Sequence, residues 1–180
     1  MSVSTGNRLN DVRVDDLEST IAAAKKDPQV AATSWTSHTR WLGGTKSEAS
    51  CRQHTLHFDE PTAVGGDDTQ VSPHETVLAA YGACLTVGIA VNCARRGITL
   101  RNLEVELKGF LDIPGFLALD SAPGLDQEPG YKRVQAHVTV QADAPEPAVR
   151  EIVETVFRVT PVGGTLRRKV EVENQLTVQV

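Results

Sequence analysis

Residues 72–97 read SPHETVLAAYGACLTVGIAVNCARRG, and the rest of the fold is built around this stretch. Ser72 can accept a backbone N–H at a helix start, the proline after it suits the first helical position, and Glu75 can complete a capping box. Two arginines and Gly97 mark the end, where cations meet the negative helix terminus. The 19 residues 76–94 carry no charged side chain. Because a helix that is apolar all round is a buried one, we predict a long central helix.

Periodic patterns predict the elements on either side of this helix. Apolar residues recur at helical spacing over 12–26 and from Val149 to Val159, where Asp143 and Glu146 can form a second capping pair. Alternation of apolar and polar residues, or glycines that permit a hairpin turn, predicts strands within 33–58, 103–108, 133–141 and 170–180. We interpret Gly163-Gly164 as turn residues. Since no regular β-α-β series results, the predicted fold class is α+β.

Composition excludes several kinds of partner. The chain has 180 residues and a net charge of −5, whereas binding to nucleic acid or to an anionic membrane needs a basic face. The uncharged run at 76–94 is rich in Ala, Gly and Thr, so a membrane helix is disfavoured. Three cysteines do not make a disulfide framework. The first ten residues are polar and lack the apolar core of a secretion signal, so we expect a cytoplasmic protein with free thiols.

No metal or cofactor is predicted. Cys51, His54 and His57 are closely spaced, but on a strand Cys51 and His57 lie about 20 Å apart and His54 points to the opposite face. The next loop lacks the spacing of a calcium site, and we interpret its acids as solvated: Asp59, Glu60, Asp67 and Asp68. The glycine pairs form no phosphate-binding or dinucleotide-binding motif.

Cys84 lies midway along the predicted central helix. By composition alone a buried cysteine is usually an inert small hydrophobe. Cys93 is nine residues further on and faces the opposite side of the helix, so the two thiols cannot form a disulfide.

The residues that lead into this helix and follow it form a recognisable series. Asp59-Glu60-Pro61 and Gly65-Gly66-Asp67 precede Ser72-Pro73-His74-Glu75, and LAAYGACL follows at 78–85. Later members of the series are residues 96–98, 103–106, 115–117, 131 and 161–166. The series resembles the OsmC-like family, which includes the organic hydroperoxide resistance proteins. The resemblance covers about residues 33–180, which are predicted to form an OsmC-like domain, with residues 1–32 as an N-terminal helical appendage packed against it.

The resemblance implies an architecture and a state of assembly. It implies an α+β, OsmC-like fold in which antiparallel sheets wrap around two long central helices, one from each chain of an interwoven homodimer. The proline-rich loop 112–130 is expected to dock its Phe116 and Leu117 near the cleft between the chains.

The resemblance also implies a set of site residues. In the peroxidase members two cysteines reduce hydroperoxides; Cys84 matches the first, and Thr160 occupies the position of the second. Those members have a glutamate directly after the helix-start proline, where this chain has His74, with Glu75 one place later. Their activating arginine follows a Gly-Gly turn. The nearest cations here are Lys46 and, less well placed, Arg40. Both remain candidates for the activating position. On a straight helix His74 lies about 15 Å from Cys84, so it needs a helix break near Gly82 or the partner chain to reach the thiol.

Two functions therefore stay open. The first is a thiol-dependent peroxidase that reduces organic hydroperoxides through Cys84 in defence against oxidative stress. Its oxidised thiol must then be regenerated by an external thiol reductant, because Thr160 has no sulfur. The second is a non-catalytic homodimer that binds a small apolar molecule in the interface cleft.

Overall fold

The computed structural model describes residues 7–111, 117 and 129–179. Two short strands, β1 (Arg8–Leu9) and β2 (Val12–Arg13), precede helix α1 (Val14–Lys26). An antiparallel sheet follows, made of β3 (His38–Gly43), β4 (Lys46–Cys51) and β5 (His54–Phe58). The remaining elements are the central helix α2 (Pro73–Arg95), strands β6 (Leu100–Leu111) and β7 (Tyr131–Ala142), and helices α3 (Glu146–Val159) and α4 (Pro161–Arg167). This mixture of helices with antiparallel sheets confirms the α+β class.

The capping chemistry predicted for α2 is present at both ends. The Glu75 N–H donates to Ser72 Oγ at 3.3 Å, and the Ser72 N–H donates to the Glu75 carboxylate at 2.9 Å. At the other end Gly97 has a φ of +71°, the left-handed conformation that glycine adopts without strain. Together these contacts fix where the helix starts and stops.

The core forms where α2 meets α3 and the β6–β7 hairpin. Its buried residues are Leu85, Ile89, Cys93, Ile98, Ile152 and Val156. Strands β6 and β7 pair in antiparallel register, with Val105 opposite Val138, and Leu103, Val105 and Val138 pack against the core. Gly88 allows the close approach of α3, because a Cβ added there would lie 2.8 Å from Val156 Cγ1.

The N-terminal segment lies against the far end of α2. The Asn10 amide donates to the Ile98 carbonyl at 3.0 Å and accepts the Leu100 N–H at 2.9 Å. Glu18 on α1 pairs with Arg95. Helix α1 confirms the helix predicted over 12–26, and these polar contacts hold it beside the main body.

Two expectations for the C-terminal third are wrong. Asp143 and Glu146 do not cap α3: Asp143 pairs with Arg101, and the helix begins after Pro145 with no side-chain cap. Gly163-Gly164 lies inside α4 rather than in a turn, because the break at Thr160-Pro161 is followed at once by a new helical turn. Helix α4 has only seven residues, too few for a helical repeat of apolar residues to show in the sequence.

The strand predicted over 170–180 is not formed in its described part, residues 170–179. Residues 168–179 have no regular secondary structure, and the side chains of Val172, Leu176 and Val178 are exposed. A segment with alternating apolar residues forms a strand only where a neighbouring strand supplies backbone hydrogen bonds. The described part of the chain places no strand beside this segment. In the loop 112–130, Phe116 lies outside the described residues, and Leu117 is exposed.

The described residues cover helix α2 on one face. Leu85, Ile89 and Cys93 are fully buried, whereas Val87 is 62% exposed. The all-round burial expected from its sequence is therefore not reached among residues 7–111, 117 and 129–179. Among the described residues α2 alone has the length and apolar composition that would allow a helix to cross a membrane, properties that core helices of folded proteins share.

The two glycines inside α2 provide a test of this packing. We predict that Gly88→Ala lowers the free energy of unfolding by about 1–3 kcal/mol, because the new methyl collides with buried Val156. Gly82→Ala is the matched control: its Cβ would meet only Leu107 Cδ1, at 3.5 Å, so the helix gains about 0.5–1 kcal/mol. Urea unfolding at one protein concentration compares the two, and equal stabilities would contradict the packing.

Candidate active site around Cys84

The structure brings Thr160 into contact with Cys84. Cys84 is half-buried on α2, and Thr160 is 3% exposed at the break between α3 and α4. Thr160 Oγ1 donates a hydrogen bond to Cys84 Sγ at 3.0 Å. The break follows from the sequence, since a residue that precedes proline favours an extended conformation, and Thr160 has φ −60° and ψ 126°.

The backbone of Thr160 is held on both sides. Its N–H donates to the Val156 carbonyl at 2.9 Å, and its carbonyl accepts the Gly164 N–H at 2.8 Å. Because Val156 belongs to the core, the hydroxyl is fixed relative to α2. The site therefore places a fixed hydroxyl donor against the Cys84 sulfur.

The other two cysteines have different surroundings. Cys93 is fully buried in the core, and burial raises the pKa of its thiol, so it stays protonated and shielded. Cys51 lies on the edge of the hairpin, opposite His54, and its thiol contacts Ser37 Oγ at 3.4 Å. Among the described residues no cluster of three His, Cys, Asp or Glu side chains is arranged to hold a metal ion. Cys51 and Cys84 are both half-buried, but Cys51 donates to Ser37, whereas the Cys84 sulfur accepts a hydrogen bond from the Thr160 hydroxyl.

His74 and Glu75 are engaged at the start of α2. The His74 ring stands edge-on to Tyr131 with centroids 5.8 Å apart, and its carbonyl accepts the Tyr131 hydroxyl at 2.8 Å. The Ser72 N–H holds the pKa of the Glu75 carboxyl below its usual value. Burial, followed by the negative charge of Glu75, raises the pKa of Tyr131. In the described chain His74 therefore contacts Tyr131 and Glu75 contacts Ser72, and neither is placed against Cys84.

A cavity of about 220 Å³ opens beside His74 and Tyr131. Its walls are mainly apolar and include Pro61, Val64 and Leu111. We call it the apolar cavity. It is large enough for a small apolar group.

The two candidate cations are both paired with acids. Lys46 pairs with Asp67, and the hydrogen bond to that carboxylate raises the pKa of the lysine. Arg40 pairs with Glu48 at 3.1 Å, and its side chain is largely exposed. Neither is placed against Cys84 by the described part of the chain.

Asp59 is a buried structural carboxylate, so its interpretation as a solvated loop acid is wrong. It accepts hydrogen bonds from the Thr45 hydroxyl, from the Thr69 hydroxyl and N–H, and from the Glu60 N–H. The bonds from Thr45 and Thr69 hold the pKa of Asp59 far below its usual value. Asp59 thereby ties the β3–β4 turn to the loop before α2. No local pattern predicts this, because the two threonines lie on separate segments.

The sequence profile of the family described as OsmC-like protein matches residues 65–175, which is more than half of the chain. This chain belongs to the OsmC-like family. The match includes Cys84, Thr160 and all of α2. No functionally curated protein matches this OsmC-like chain in sequence.

Solved structures share the fold. The OsmC-like protein from Mycoplasma pneumoniae superposes with a TM-score of 0.60 at 15% identity, covering 75% of this chain and 88% of that one. An organic hydroperoxide resistance protein from Legionella pneumophila gives 0.56 at 18% identity, with 76% and 92% covered. Another, from Elizabethkingia anophelis, gives 0.55 at 17%, with 75% and 90% covered. At such identities the likeness shows the fold alone, and it confirms the predicted OsmC-like fold.

The Thr160 hydroxyl gives a direct test of the site. In a chain that carries Cys51→Ser and Cys93→Ser, we predict that Thr160→Val slows alkylation of Cys84 by iodoacetamide at neutral pH about 3- to 10-fold, because the hydrogen bond to sulfur is lost. Thr160→Ser keeps the hydroxyl and should retain most of the rate. Equal rates in the valine and serine variants would contradict a role for the hydroxyl.

Proposed function

We propose that this OsmC-like chain is a one-cysteine thiol peroxidase that reduces organic hydroperoxides through Cys84. The observation that supports it is the hydrogen bond from buried Thr160 to Cys84 Sγ, at the helix position where the family's peroxidases carry their nucleophile. Structural likeness to organic hydroperoxide resistance proteins is consistent with this chemistry. The free cysteines suit a reducing cytoplasm, and we extend the proposal to that location.

The reaction has two stages. The thiolate attacks the terminal oxygen of the hydroperoxide, an S–O bond forms, the O–O bond breaks, and the alkoxide takes a proton to leave as an alcohol. Cys84 is then a sulfenic acid. Thr160 carries no sulfur, so an external thiol condenses with the sulfenic acid and releases water. A second thiol then reduces the mixed disulfide.

We also propose that the functional unit is a homodimer. Three parts of the chain expose apolar side chains: the open face of α2, the β3–β5 sheet and the C-terminal segment. The exposed residues are Trp41, Leu42, Leu56, Val77, Val87, Val170, Val172, Leu176 and Val178. The sheet makes its main contacts within itself, while β6, α3 and α4 cover the other face of α2. A second copy of the chain is the partner that would cover all three.

A second candidate function rests on the apolar cavity beside Tyr131. Its apolar walls suit a small apolar ligand, which a non-catalytic dimer could carry without chemistry at Cys84. The behaviour of Cys84 toward hydroperoxide separates the two functions.

The peroxidase proposal predicts a trapped intermediate. With cumene hydroperoxide and no thiol, Cys84 should become a sulfenic acid that dimedone labels, and excess oxidant should carry it to sulfinic acid, both measured by mass spectrometry. Cys84→Ser should abolish hydroperoxide consumption, whereas Cys51→Ser and Cys93→Ser should not. Thr160→Cys should instead yield a disulfide between residues 84 and 160, because the two side chains already touch. If Cys84 stays unmodified while Cys51 or Cys93 reacts, the peroxidase proposal fails and the ligand-binding function replaces it.

The dimer proposal predicts different effects for two exposed valines. Val87→Asp on the open face of α2 should weaken association by at least about 100-fold, because it would place an unpaired charge in an apolar interface. Val30→Asp is the matched control, since Val30 is 63% exposed in the turn after α1. Sedimentation at micromolar concentration should give a dimer for the control and a monomer for Val87→Asp. A folded wild-type monomer would overturn the proposal.

A further inference from the structure

A second cavity lies between the start of β7 and helix α4. Its volume is about 220 Å³, and its lining residues are Tyr81, Tyr131, Lys132, Arg133, Val134, Gly163, Leu166 and Arg167. Three of these described residues are cations and none is acidic. We call it the basic cavity. In a chain whose net charge is −5, this concentration of positive charge is a local feature of the fold.

The two arginines of the basic cavity are held by contacts that leave their charge unneutralised. The Arg133 guanidinium carbon lies 3.9 Å from the centroid of the Phe110 ring, and Arg167 donates to the Arg158 carbonyl at 3.1 Å. Neither forms an ion pair within the described part of the chain. Six arginines elsewhere do: Arg13, Arg40, Arg95, Arg96, Arg101 and Arg150. An unpaired, orientated guanidinium is suited to bind a carboxylate through two parallel hydrogen bonds.

The wall of the basic cavity reaches the reactive thiol through Gly163. A Cβ added to this buried glycine would lie 2.7 Å from Thr160 Cγ2, 2.8 Å from Tyr81 Cε2 and 3.1 Å from Arg167 Nη1. The missing side chain therefore lets Tyr81, Thr160 and Arg167 converge on one point. Because Thr160 in turn contacts Cys84 Sγ, a single residue separates the basic cavity from the sulfur.

We propose that the basic cavity binds the carboxylate of a small thiol and presents its sulfur to oxidised Cys84. The proposal rests on the peroxidase function above. A chain with Thr160 in place of a second cysteine must take its resolving thiol from solution, and an anion site beside the sulfur raises that thiol's effective concentration. The bound thiol attacks the sulfenic sulfur, an S–S bond forms, the S–O bond breaks, and the hydroxyl leaves as water with the thiol's proton. A second thiol molecule reduces the mixed disulfide, returning the Cys84 thiol and releasing the reductant as its own disulfide.

The first experiment needs no peroxidase activity. In the Cys51→Ser, Cys93→Ser chain, Cys84 is reacted with dithiobis(nitrobenzoate), which carries a carboxylate on each ring, and with dithiodipyridine, its uncharged counterpart. We expect Arg167→Gln and Arg133→Gln each to slow the anionic reagent about 10-fold and the neutral one less than about 2-fold, as loss of a charge-assisted hydrogen bond requires. Arg167→Lys should retain part of the preference for the anionic reagent over the uncharged one. Arg168→Gln is the matched control, because this neighbouring cation does not line the cavity.

The second experiment separates the thiol from the hydroperoxide as the source of the carboxylate. Cys84 sulfenic acid is formed with neutral cumene hydroperoxide, and its reduction by mercaptopropionate is compared with that by mercaptoethanol. A preference for the anionic thiol of about 10-fold that Arg167→Gln removes would support the proposal. If Arg167→Gln instead slows only oxidation by a carboxylate-bearing hydroperoxide, the carboxylate belongs to the oxidant and the proposal is wrong.

The two experiments distinguish failure of the peroxidase function from failure of the carboxylate site. If no sulfenic acid forms with any hydroperoxide, the peroxidase function and the regeneration step both fail, whereas charge selectivity in the disulfide reaction would still support a carboxylate site. If the disulfide reaction is insensitive to Arg133 and Arg167 while sulfenic acid does form, the peroxidase function stands and the basic cavity has no such role.

Discussion

Leu85, Ile89 and Cys93 are spaced four residues apart on α2 and are buried completely against α3 and the β6–β7 hairpin. Strand β6 and helices α3 and α4 pack against α2, because 19 consecutive uncharged residues are unfavourable in water. One chain covers one face of the helix and leaves Val87 on the other face open. The same constraint that forms the core therefore leaves the open face on which the proposed homodimer rests.

The packing of α3 on α2 also positions the chemistry. Val156 is fixed in the core next to Gly88, and four residues later the chain breaks before Pro161. The break directs the Thr160 hydroxyl at Cys84 and starts α4, which carries Arg167 towards β7. A hydrogen-bond donor for sulfur and a cation for a carboxylate thus come from one short stretch of backbone.

Charge is distributed unevenly over this acidic chain. Six of the twelve arginines, together with Lys46, are paired with carboxylates among the described residues. Buried Asp59 is satisfied by threonine hydroxyls and backbone N–H groups. Arg133 and Arg167 line the basic cavity, and none of its described lining residues is acidic. Arg167 lines the basic cavity without an ion pair among the described residues, whereas the two hairpin candidates, Arg40 and Lys46, are paired with Glu48 and Asp67.

Local rules were sufficient for the central helix, the β6–β7 pair, α3 and the family, but not for α4 or for residues 170–179. Capping residues set the ends of α2, alternation predicted β6 and β7, and the series around Cys84 identified the OsmC-like fold, since each depends on residues close together in sequence. Tertiary structure alone decided the burial of Asp59, the exposure of residues 170–179 and the convergence of Tyr81, Thr160 and Arg167 on Gly163. These depend on hydrogen bonds, strand partners and steric space supplied by distant segments, which no local pattern records.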